Sequence, residues 1–87
     1  MNELHKSNYI KTLSKMKAII VTKENNRIEG KLCMVGDYIV TLDVDKQAVD
    51  SQTIKAYYDE GISVSEYPNE WHITVARKKV ESIEFID

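Results

Sequence analysis

The stretch from Arg27 to Leu42 constrains the fold of this 87-residue chain more than any other part of it. In its first half, successive residues alternate between two faces, and one face carries Ile28, Gly30, Leu32 and Met34. After a break at Val35-Gly36-Asp37 a second alternation begins, with one face made of Tyr38, Val40, Leu42 and Val44. A period of two residues is typical of a half-buried strand. A glycine inside such a strand favours a bend or a close approach of another backbone. The stretch therefore predicts two antiparallel strands in a strongly curved sheet.

Composition predicts a single domain over residues 1–87. Hydrophobic residues make up 43% of the chain and charged residues 30%, which is the balance of a soluble globular protein. We expect no membrane span, because no apolar run approaches the ~20 residues required. One cysteine, Cys33, and no apolar leader at the N-terminus favour a cytoplasmic protein. The net charge of −2 argues against a protein that is basic overall, but it permits a local basic patch.

The remaining chain supplies further elements of a mainly β fold. An amphipathic pattern predicts a helix over residues 3–15. Glu24-Asn25-Asn26 is predicted to be a turn, because asparagine tolerates the positive φ that tight hairpins require. Additional strands are predicted at 17–23, 62–67, 71–76 and 80–86. Residues 46–70 are read as a variable insertion that contains either a helical turn ending at Gly61 or a long loop.

Signals for catalysis or metal binding are weak along the chain. His5 and His72 have no cysteine or histidine partner at ligand spacing, so no metal site is expected. Cys33 lies in a strand with no histidine near it in sequence, which favours packing over nucleophilic chemistry. There is no glycine-rich phosphate loop and no serine elbow. We therefore expect neither an enzyme nor a cofactor.

The order of these elements, together with two short motifs, resembles the Sm-like (Sm/LSm/Hfq) family of RNA-binding proteins. The first motif is similar in its glycine, acidic bend, aromatic residue and hydrophobic strand, here Gly30, Leu32, Asp37, Tyr38, Ile39 and Leu42. The second is similar in its basic turn between two hydrophobic strands, here residues 75–83, and it looks more like the Hfq version. The resemblance covers residues 1–45 and 71–86.

The resemblance implies an N-terminal helix on a five-stranded, strongly bent antiparallel barrel. It also implies a homo-oligomeric ring, for which we expect five to seven subunits. In such rings the bend and the basic turn line the pore, so Asp37, Tyr38, Arg77 and Lys78 are the candidate RNA-binding residues. An aromatic ring can stack on an unpaired base while cations hold the phosphate.

The leading functional hypothesis is therefore binding of single-stranded, U-rich RNA. The alternative is a protein-interaction or assembly module that keeps the ring and has lost RNA binding. Val40 stands where the eukaryotic pattern has asparagine, and the second motif lacks its glycine. Both departures, with the acidic net charge, favour the alternative. The competing interpretation of the cationic residues is that they form an ordinary solvated hairpin turn. For Tyr38 it is that the ring lies at the rim of the barrel and packs only on neighbouring residues.

Overall fold

The computed structural model describes residues 16–86, so the helix predicted for residues 3–15 lies outside the described part of the chain. Strands and one α-helix follow in the order β1 (Lys17–Thr22), β2 (Arg27–Val35), β3 (Ile39–Asp45), α1 (Ser51–Asp59), β4 (Ser63–Glu66), β5 (Glu70–Ala76) and β6 (Val80–Ile86). Two 3-10 turns, Lys46–Ala48 and Arg77–Lys79, follow β3 and β5. The prediction of a mainly β protein is confirmed.

The strands form one antiparallel sheet in the order β4-β5-β3-β2-β1-β6. The predicted count of five strands is wrong, because the sheet has six within residues 16–86. The additional strand is β4, whose residues Ser63 to Glu66 pair with the outer side of β5 from Thr74 to Trp71. As a result β4 and β6 are the two edges of an open sheet.

The core follows the period-two pattern of the central strands. Val40, Leu42 and Val44 of β3 are completely buried, and so are Ile73 and Val75 of β5. Burial of such aliphatic side chains is the main stabilising contribution in a small domain. The sequence pattern predicted these positions correctly, because a strand that is buried on one face has an apolar residue at every second position.

Gly30 lies on β2 close to the backbone of β3. A Cβ atom at this position would overlap the main-chain oxygen of Asp43 and would lie 2.9 Å from the Cγ2 atom of Val44. Only glycine fits at such a site without moving the backbone. Two residues further on, the β2–β3 register shifts between Leu32 and Met34, which forms a bulge at Cys33. Both features bend this strand.

The segment 46–70 contains a helix, so the helical interpretation is the one that the structure bears out. Asp50 caps α1 by accepting a hydrogen bond from the Thr53 amide at 2.8 Å. The chain leaves the helix through Gly61, whose φ of +81° favours glycine. Tyr57 packs into the core and donates a hydrogen bond from its hydroxyl to the Arg27 carbonyl at 2.7 Å. Within residues 16–86 no helix is long and apolar enough to cross a membrane.

Candidate nucleic-acid interface

A groove opens at the end of the sheet where β3 begins and β5 ends. Ile39 pairs with Ala76 there, as the last pair of the β3–β5 ladder. The groove has a volume of about 470 Å³ and is lined by Asp37, Tyr38, Ala76, Arg77 and Lys78. The structure therefore brings together the four residues that the sequence resemblance singled out, although 38 residues lie between Tyr38 and Arg77 in the sequence. We call this feature the Tyr38 groove.

Hydrogen bonds connect the two chain segments that form the Tyr38 groove. The backbone amide of Arg77 donates to the carbonyl of Tyr38 at 2.7 Å, and the Nη1 atom of Arg77 donates to the carbonyl of Gly36 at 2.9 Å. The bend itself is closed by the Gly36 amide, which donates to the Ile39 carbonyl at 2.8 Å. A guanidinium carries five N–H donors, so this contact orients the group and leaves donors for a ligand.

The side chain of Tyr38 is 85% exposed, whereas the sequence alternation predicted it on the buried face of the strand. The sequence pattern placed Tyr38 on the same face as Val40, but β3 begins only at Ile39, so Tyr38 belongs to the bend. Its ring therefore projects from the domain instead of entering the core. An aromatic face that is free of packing neighbours can accept a base by stacking.

The three consecutive cations after β5 divide into two groups. Arg77 and Lys78 line the groove, whereas the Nζ atom of Lys79 donates a hydrogen bond to the main-chain carbonyl of Glu60 at the end of α1. Lys79 thus connects the 3-10 turn to the helix. Asp37 adds one carboxylate to the groove, which gives it an acceptor beside the two cations.

A second cluster of polar side chains lies further along the same strands, and we call it the Cys33 cluster. It consists of Cys33 on β2, Asp43 on β3 and His72 on β5, and their potential ligand atoms all lie within 4.8 Å of one another. The Nδ1 atom of His72 lies 2.8 Å from the Oδ1 atom of Asp43. Spacing along the chain did not reveal this cluster. His72, which has no partner in sequence, gains two because β3 lies between β2 and β5.

Ionisation in the Cys33 cluster is shifted by burial and by the carboxylates. Burial and the neighbouring Asp43 raise the pKa of the Cys33 thiol to about 12. Burial opposes ionisation of Asp43, but hydrogen bonds from His72 and Cys33 outweigh it and lower the pKa of Asp43. The charge on Asp43 in turn raises the pKa of Glu70. A nucleophilic cysteine requires a lowered pKa, so the cluster is not arranged for thiol catalysis by itself.

The structure thus presents two polar sites on one β3–β5 ladder, the Tyr38 groove at its end and the Cys33 cluster four residues along β3 from Ile39. Comparison with protein-family models, curated proteins and solved structures gave no match to this chain.

Proposed function

We propose that the protein binds single-stranded, U-rich RNA in the Tyr38 groove, as the resemblance to Sm-like proteins implies. The observation that carries the proposal is the 85% exposed ring of Tyr38 beside two cations in one groove. An exposed aromatic face and adjacent positive charges are what an unpaired nucleotide needs, because the face takes the base and the cations take the phosphate.

Each residue of the groove has a distinct role in this proposal. Tyr38 stacks on a base, and Lys78 contacts the phosphate as a flexible point charge. Arg77 is oriented by its contact with Gly36 and uses its remaining donors on phosphate or on a base carbonyl. Asp37 accepts a hydrogen bond from the imide N–H of uracil, a donor that adenine does not have at the corresponding ring nitrogen.

We further propose that copies of the chain assemble into a ring of five to seven subunits. Support comes from the open sheet, whose edges β4 and β6 carry unpaired backbone groups. Pairing of β4 in one copy with β6 in the next is a heterologous contact, and such contacts close into rings when the rotation permits. A ring would arrange identical grooves around one axis, so a single RNA strand could contact several copies. In the same view the five strands β5-β3-β2-β1-β6 correspond to the bent Sm-like sheet, to which β4 has been added at one edge.

Native mass spectrometry tests the ring, and fluorescence titration tests RNA binding. Labelled oligo-U and oligo-A should be titrated against the parent, Tyr38→Ala and Lys78→Ala at two salt concentrations. Tyr38→Ala should weaken oligo-U binding by about 1–3 kcal/mol per stacked base. Lys78→Ala should weaken both RNAs similarly and reduce the salt dependence.

Two matched controls use residues outside the groove. Tyr67→Ala removes a tyrosine that is 51% exposed, and Lys55→Ala removes an exposed lysine of α1. Neither change should alter RNA affinity. A parent that binds neither RNA at low salt contradicts the proposal and favours the protein-interaction alternative. Equal weakening by the controls would place RNA binding on another surface.

A further inference from the structure

We propose that the Cys33 cluster is a binding site for a divalent transition metal ion, with Zn²⁺ as the natural occupant. Cys33, Asp43 and His72 supply a sulfur, an oxygen and a nitrogen atom that all lie within 4.8 Å of one another. This site is separate from the Tyr38 groove, since Asp43 follows Ile39 by four residues, or about 13 Å along a strand. The proposal therefore does not depend on RNA binding.

The sheet brings the three ligands together through its register. Asp43 pairs directly with His72 across the β3–β5 ladder, and it pairs with Lys31 on the β2 side. The bulge between Leu32 and Met34 falls on Cys33. Bulges change the direction of a side chain and are common beside functional sites. Because all three ligands lie on paired strands, the backbone holds them close before any ion binds, which reduces the entropy lost on binding.

The donor set selects the kind of ion. Thiolate, imidazole and carboxylate together suit Zn²⁺ and its neighbours in the first transition row, whereas Ca²⁺ and Mg²⁺ prefer oxygen ligands alone. Metal–ligand bonds of about 2.0–2.3 Å require donor atoms roughly 3.3–3.8 Å apart in a tetrahedral site. The present distance of 2.8 Å between the Nδ1 atom of His72 and the Oδ1 atom of Asp43 must therefore lengthen on binding. All three side chains are only partly buried, which leaves them room to rotate.

The surroundings of the Cys33 cluster offer a neighbouring carboxylate and a cavity. Glu70 precedes His72 by two residues on β5, so the two side chains lie on the same face of the strand. Asp43 and Glu70 both line a cavity of about 640 Å³, through which an ion can reach Asp43.

Binding of an ion changes the positions of the protons on His72 and Cys33. The ion replaces the hydrogen bond between the Nδ1 atom of His72 and the Oδ1 atom of Asp43 and binds both atoms. An imidazole that binds an ion through Nδ1 carries its proton on Nε2, and the thiol of Cys33 releases its proton to solvent. The bound ion then connects strands β2, β3 and β5, so that the metal stabilises the folded sheet.

Cobalt and zinc titrations of the reduced, chelator-treated full chain test the proposal. We expect one Co²⁺ per chain, with a thiolate-to-cobalt charge-transfer absorption that Zn²⁺ abolishes and that Cys33→Ser does not show. Zinc affinity measured by calorimetry should fall by about tenfold or more in His72→Gln and Asp43→Asn. His5→Gln removes the other histidine, and Asp45→Asn removes the next carboxylate on the same face of β3. Both should bind zinc as the parent does.

A measurement on the parent alone guards against variants that fail to fold. Zinc should slow alkylation of Cys33 and raise the melting temperature, whereas Mg²⁺ should do neither. The proposal is overturned if the parent shows no saturable zinc binding, if alkylation is unchanged, or if cobalt binds without the charge-transfer absorption. A loss of zinc affinity in His5→Gln equal to that in His72→Gln would also overturn it, because the ion would then bind elsewhere.

Discussion

Arg77 donates a hydrogen bond from its Nη1 atom to the main-chain carbonyl of Gly36 at 2.9 Å, which connects the β2–β3 bend to the turn after β5. The contact lies at the surface, where a single hydrogen bond contributes about 0.5–1.5 kcal/mol to stability. The backbone bond from the Arg77 amide to Tyr38 remains in any variant of this side chain. Arg77 therefore orients the groove more than it supports the fold.

Arg77→Lys should separate charge from geometry. Lysine keeps the positive charge but has no planar fork of donors, so it cannot hold Gly36 and a ligand together in the same way. We expect the thermal melt to change little and oligo-U affinity to fall, with the salt dependence preserved. Arg77→Ala should lower both the affinity and the salt dependence. If Arg77→Lys binds oligo-U as the parent does, the oriented guanidinium has no role in binding.

Gly30→Val should destabilise the domain by about 1–3 kcal/mol. The added side chain would begin in overlap with the Asp43 carbonyl, so the β2–β3 backbone would have to move apart. Urea denaturation measures the loss. Gly36→Ala is the matched control, because its Cβ would lie 3.3 Å from the Ile39 carbonyl and meet a milder contact. Equal stability of Gly30→Val and the parent would show that the sheet can open there at no cost.

Glu60 is 5% exposed and anchors the end of α1 to the β1–β2 turn. Its Oε1 atom accepts hydrogen bonds from the Thr22 hydroxyl at 2.7 Å and from the Asn26 side-chain amide at 2.6 Å. Glu60→Ala leaves the buried Thr22 hydroxyl and the half-buried Asn26 amide without that acceptor, and we expect a loss of about 1–3 kcal/mol in urea denaturation. Glu60→Gln keeps an acceptor oxygen and should lose less. An equal loss in both variants would mean that the charge, rather than the acceptor, is what matters.

Asp50 should make the stability of α1 depend on acid pH. Hydrogen bonds from the amide and the hydroxyl of Thr53 lower the pKa of Asp50 below its ordinary value of 3.8. Since the folded-state pKa is the lower one, the stabilisation is fully present above the unfolded-state pKa and is lost as the pH falls through the folded-state pKa. Serine caps helices without titrating in this range. The melting temperature of Asp50→Ser should therefore fall less steeply than that of the parent below about pH 4, and parallel curves would contradict the prediction.

The sequence alone determined which face of each central strand is buried and where the tight backbone positions lie. Val40, Leu42 and Val44 alternate because one side of β3 meets the core, and a pattern of that kind is visible without knowing the partner strand. Asn25 has the positive φ of 69° that its turn required. Gly30 was recognised for a different reason, because a glycine inside a strand is unfavourable unless another backbone lies close to it.

Only the tertiary structure decided which strands are neighbours and what meets across them. The edge strand β4 was predicted as a short strand, but its pairing with β5 raises the sheet to six strands. Tyr38 leaves the alternation because β3 starts one residue later. Cys33, Asp43 and His72 lie far apart in sequence and meet only because β3 pairs with both β2 and β5. Local periodicity reports the face that a side chain occupies, whereas register and strand order arise from long-range backbone pairing, which leaves no signal in the spacing of residues along one chain.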